Sequence, residues 1–135
     1  MGTYQKHRTN DRLKIPGANV IPCKKISHLK LIFGSFKGLT LFNINKSGIC
    51  FESTSLYKKG DVVCVLVKIP GEKRFYVEAC VKWQEDKPGS SHYFVGAQLQ
   101  PYGKGKNFNS YKTLQRLRDL HEKYNDSLQS ALAQS

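Results

Sequence analysis

The chain has 135 residues, which is the length of one domain and enough to bury a core without disulfides. Its 22 Lys and Arg against 10 Asp and Glu give a formal charge of +12, so the partners it favours are polyanions: nucleic acid, nucleotide phosphates or an anionic surface. No stretch is apolar for long enough to span a bilayer, and the N-terminal residues show neither a hydrophobic signal core nor a myristoylation pattern. The expected location is therefore cytoplasmic.

Residues 1–12 carry Lys6, His7, Arg8 and Arg12 with little apolar content, and read as a flexible arm that orders on meeting a ligand. Residues 13–26 are expected to be extended, and Pro16, Gly17 and Pro22 suggest an edge or entry strand. Strands follow at 28–33 and 36–43. The polar stretch Asn43-Ile44-Asn45-Lys46-Ser47-Gly48 then separates two apolar runs, 39–42 and 49–51, as the turn of a hairpin should. Residues 62–69 are apolar on both faces and predict a strand covered on both sides. Residues 75–84 alternate, with Phe75, Val77, Ala79, Val81 and Trp83 facing in. A last strand runs over 93–99. The fold class is mainly β: a small antiparallel barrel of about six strands over 13–100.

Beyond a basic link at 102–106 the period changes. Leu114, Leu117, His121, Tyr124, Leu128 and Leu132 recur at three- and four-residue steps, predicting an amphipathic helix over 109–133 capped by Asn109 or Ser110. Its charges are balanced, so packing on the barrel, over the outer face of 62–69, is expected in preference to a membrane.

No enzyme motif is present. The glycine-rich stretches lack the Lys-Ser/Thr of a phosphate-binding loop, there is no nucleophile elbow, and the carboxylates form no evident acid–base pair. Cys23, Cys50, Cys64 and Cys80 and the four histidines have no zinc-ligand spacing, so no metal is expected and the strand cysteines read as small buried apolar residues. What remains is binding. Arg8 and Arg12 each offer a planar fork to phosphate or to the O6/N7 edge of guanine. Asn43 and Asn45, two apart, point to one side of a strand end and can meet a base edge, while Gly48 allows close approach of a ligand. Taken singly, the turn is an ordinary Asn-rich loop and the arginines are solvated charge.

In combination, Arg8-Thr9-Asn10-Asp11-Arg12 and Asn43-Ile44-Asn45-Lys46-Ser47-Gly48 on a barrel with a C-terminal helix resemble the PilZ domain family. Val77-Glu78-Ala79-Cys80-Val81-Lys82-Trp83 is similar to that family's strand ending in Trp, and Tyr93-Phe94-Val95-Gly96-Ala97-Gln98-Leu99 to its last strand. The resemblance spans about residues 6–100. It implies a non-enzymatic receptor for the second messenger cyclic di-GMP, with Arg8 and Arg12 gripping guanine and phosphate and Asn43, Asn45 and Gly48 holding a base. Asn45 stands where the family usually has Ser. A protein partner in a motility, pilus or surface-polysaccharide pathway is implied by the same analogy. Two further readings stay open: a nucleic-acid-binding barrel, from the charge and aromatic content, and a PilZ-like adaptor that binds no nucleotide.

Overall fold

A computed structural model describes residues 13–26, 30–33 and 38–133. The strands are β1 (Asn19–Ile26), β2 (Lys30–Phe33), β3 (Leu39–Ile44), β4 (Gly48–Ser53), β5 (Val62–Lys68), β6 (Phe75–Asp86) and β7 (Tyr93–Leu99), followed by one helix, α1 (Tyr111–Ala133). All pairings are antiparallel. They run β1-β3-β4-β7-β6-β5, and β5 returns to β1, so six strands close a barrel while β2 extends β1 beyond it.

The two-residue period of a strand sorts side chains between the inside and outside of the barrel. Val63, Val65 and Val67 of β5, Val77, Ala79 and Val81 of β6, and Val95, Ala97 and Leu99 of β7 meet Ile49 and Phe51 of β4 in one interior cluster. On the other side of β5, Leu66 and Cys64 pack with Ile21 and Cys23 of β1 in a small second cluster. Both faces of β5 are thus used, as the sequence predicts, although Val62 at its start is exposed.

Three details differ from the sequence-based expectation. First, β1 is the closing strand of the barrel, not an edge. It pairs with β3 through Asn19 and Val20 and with β2 from Cys23 onwards, while β5 pairs with Asn19–Cys23. Pro22 falls in the gap between the first two ladders, where its missing N–H costs no hydrogen bond on that side. Second, Trp83 faces out. The ladder between β6 and β7 jumps from Val81↔Ala97 to Trp83↔Gly96, so Lys82 is an extra residue that turns the following side chains over. Third, the helix does not cover the outer face of β5. Leu117 and Leu120, 3% and 2% exposed, join the interior cluster instead.

The helix is fixed at both ends of its described contact. Ser110 Oγ accepts the N–H of Thr113 at 3.1 Å and is the N-cap. Asn109 works in another direction: its Oδ1 accepts from Glu78 N at 2.8 Å, and its Nδ2 donates to the carbonyls of Glu78 and Gln100, both at 2.9 Å. Further along, Lys123 and Arg116 bind Glu72 in the β5–β6 turn, and the Arg116 guanidinium lies 5.7 Å from the Phe75 ring centre. None of the described helices is long and apolar enough to cross a membrane.

Candidate binding site at the β3–β4 hairpin

The hairpin is tighter than the sequence suggests. β3 continues through Ile44, which is fully buried and pairs with Ile49, so the turn itself is residues 45–48. Asn45 N donates to the Gly48 carbonyl at 2.9 Å. In return the Asn45 side chain takes over the role of a backbone acceptor: Oδ1 receives the N–H of Ser47 at 2.7 Å and that of Gly48 at 2.9 Å. Asn45 therefore fixes the turn with one of its two polar atoms. Gly48 is buried and opens β4, paired with Gln98 of β7.

Asn43 lies on the outer face. A bulge at Phe42 interrupts the ladder between Leu41↔Phe51 and Asn43↔Cys50. Across the strands, Asn43, Cys50, Gly96 and Trp83 then form one row in register. The Trp83 indole lies against Gly96: a Cβ built there would come within 2.0 Å of the ring. Glycine at this position is what lets the indole rest on the sheet while 42% of Trp83 stays exposed.

Of the predicted site residues, the structure brings Asn43, Asn45 and Gly48 together at this hairpin. Arg8 and Arg12 lie outside the described residues. Leu13, the residue bonded to Arg12, is described and is fixed: its N–H donates to the Ile44 carbonyl at 2.8 Å and its carbonyl accepts from Ile44 N at 3.1 Å. The chain leading from the arm thus meets the hairpin at the residue between Asn43 and Asn45.

Two neighbours hold the turn, and one of them, Tyr102, carries no periodic signal in the sequence. Tyr102 donates its phenol proton to the Lys46 carbonyl at 2.7 Å, and Leu99 N donates to the Ser47 carbonyl at 2.9 Å, so the turn is held against the segment that leads to the helix. Burial pushes the Tyr102 phenol up to about 12, with Arg118 partly opposing, so it stays a donor at any physiological pH. Beside it lies a groove of about 340 Å³ whose lining includes Lys46, Ser47, Lys82, Gln98, Gln100 and Tyr102. It has polar groups of both kinds and two cations at its rim.

Below the row, Glu52 is 8% exposed on the same face. Its Oε2 lies 2.5 Å from His92 Nδ1 and 3.2 Å from Lys87 Nζ, and its Oε1 accepts from Thr40 N at 3.2 Å. The His92 hydrogen bond leads the effects that lower its pKa to about 2; burial opposes, and Thr40 and Lys87 add to the lowering. The Phe42 and Phe94 rings meet edge to face nearby, with centroids 5.0 Å apart. Glu52 ties the β6–β7 loop to β3 and has its valences filled from within the chain, which suits a structural role. Among the described residues, no group of three or more His, Cys, Asp or Glu is arranged to hold a metal.

Comparison of the chain with family models and with curated proteins returns no match.

Proposed function

We propose that this protein is a non-enzymatic receptor for cyclic di-GMP that works as PilZ domains do. The observation that carries the reading is the Leu13–Ile44 bridge. It fixes the chain one residue after Arg12 at the residue flanked by Asn43 and Asn45. Adjacent Cα atoms are about 3.8 Å apart, and the five steps from Leu13 to Arg8 span at most about 17 Å. Arg12 therefore adjoins the residue bridged to the hairpin, and Arg8 is tethered to it by at most about 17 Å of chain.

The chemistry follows from the donor sets. An arginine fork matches the O6/N7 edge of guanine or two phosphate oxygens, and can stack its plane on the purine. The Asn43 amide supplies a donor and an acceptor for a base edge. Asn45 contributes by holding the turn, a task a shorter Ser could also perform from this position. The excess of positive charge, +12 over the chain, speeds the approach of a dianionic ligand. Ligand binding draws arm and barrel together and so changes the surface that a partner protein reads.

The test is calorimetric titration with cyclic di-GMP, followed in parallel by fluorescence of Trp83, the sole tryptophan. Saturable heat in the wild-type protein, weakened at least about tenfold (about 1.4 kcal/mol) by Arg12→Ala and by Asn43→Ala, is expected. No heat with the wild type, or unchanged affinity in both variants, sinks the proposal. A parallel titration with single-stranded RNA separates the nucleic-acid reading, since tight, salt-sensitive RNA binding without a dinucleotide response would favour that reading instead.

A further inference from the structure

Cys23 and Cys64 face each other directly across the β1–β5 ladder, the pairing that closes the barrel. Opposed residues in antiparallel strands have Cα atoms about 4.5–5.5 Å apart, inside the range of about 4.4–6.8 Å that a disulfide spans. The two thiols belong to the same small outer cluster, with Ile21 and Leu66 beside them. Neither is oxidised in the structure. The other two cysteines have no thiol opposite: Cys50 faces Asn43 and Gly96, and Cys80 faces Gln98 and Val62.

We infer that Cys23 and Cys64 are a thiol modification site, oxidised by hydroperoxides to an intramolecular disulfide across the barrel's closing seam. Cys64 is half-buried and Cys23 buried, so the peroxide meets Cys64 first. The Cys64 sulfur displaces water from the peroxide and becomes a sulfenic acid. The Cys23 thiol then attacks the Cys64 sulfur, the S–O bond breaks as the S–S bond forms, and the departing hydroxide takes the proton that Cys23 gives up, leaving as a second water. One peroxide is reduced and two thiols are oxidised. Cys23 suits the attacking role: a hydrogen bond from Cys64 lowers its pKa, burial opposes, and the backbone of Leu66 lowers it further. A bond here closes a loop of about 40 residues.

The site stands apart from the hairpin and does not depend on the proposed ligand. Its test is peroxide treatment of the full-length protein, followed by non-reducing tryptic mapping. The four cysteines fall on separate tryptic peptides, 15–24, 47–58, 60–68 and 75–82, so each possible cross-link has its own mass. The expected product joins 15–24 to 60–68, is reversed by dithiothreitol, persists in the Cys50→Ser/Cys80→Ser variant, and raises the melting temperature by about 5 °C or more. A cross-link through Cys50 or Cys80, a covalent dimer, or oxidation of Cys64 to a sulfinic acid without cross-linking overturns the inference. The wild-type map needs no variant to fold, and loss of the cross-link in Cys64→Ser is the confirming control.

Discussion

Strands β3, β4, β7 and β6 present two faces built on different rules. Inside, Ile49, Phe51, Val95, Ala97, Val77 and Val81 are sealed at 3% exposure or less and interchangeable in kind, since each contributes volume to a shared core. Outside, Asn43, Glu52, Gly96 and Trp83 each have a specific partner or a specific absence of bulk. The inner face is set by packing density, the outer by individual contacts. Function can be written on the outside without touching the inside, because neighbouring positions on a strand belong to opposite faces.

The contrast predicts a graded series of effects. Phe51→Ala should be the most damaging, removing about 3–5 kcal/mol of unfolding free energy in urea titrations, because it opens a cavity in a sealed core. Its neighbour Cys50 on the other face should tolerate Ala at about 1 kcal/mol; equal costs at both positions would erase the distinction between the faces. Second comes Glu52. Its folded pKa of about 2 lies below the unfolded value of about 4.3, so the stability it contributes is present above about pH 4.3 and is lost as pH falls through 2. Up to about 3 kcal/mol is at stake, and Glu52→Gln should flatten the fall in urea midpoint between pH 4.5 and about 2 relative to wild type.

Next is Gly96→Ala, which drives a methyl group into the Trp83 indole and should cost about 1–3 kcal/mol. Adding Trp83→Ala should restore most of that loss; a double variant no better than the single one would mean that the backbone, not the ring, resists the methyl. The smallest effect is at the turn. Asn45→Ala removes an acceptor shared by two N–H groups and should cost about 1 kcal/mol, whereas Asn45→Ser should cost a few tenths, measured by thermal melting.

Much of this architecture is legible in the sequence, and the parts that are not share a cause. Val63, Val65 and Val67 announce a strand by alternation, and the eight-to-twelve-residue spacing of turns announces a barrel. Trp83 misleads because a bulge changes the face of every residue after it, and Lys82 carries no mark of being the extra residue. Pro22 misleads in a similar way: it is a poor residue for a strand with two partners, yet it sits where β1 has one. In the helix, Leu120 belongs to the buried stripe; a three-residue step from Leu117 reaches it and a four-residue step reaches His121, and only the direction from which the barrel approaches decides between them. At the hairpin, Asn43, Asn45 and Gly48 were readable as a group, but Tyr102, fifty-six positions from the Lys46 carbonyl it holds, was not, because sequence distance hides a single long-range hydrogen bond.

The uneven ladders of β1 also give the barrel a preferred place to breathe. On its β3 side only Asn19 and Val20 are paired, supported by one further hydrogen bond from Leu41 N to the Ala18 carbonyl at 3.0 Å. By contrast β7 is paired with β4 from Tyr93 to Gln98 and with β6 from Tyr93 to Leu99. Local opening costs least where the fewest backbone hydrogen bonds must break together. Amide protons at the β1–β3 seam should therefore exchange with solvent well before those of β7, and the chain entering at Leu13 sits beside that seam, joined to the same strand β3.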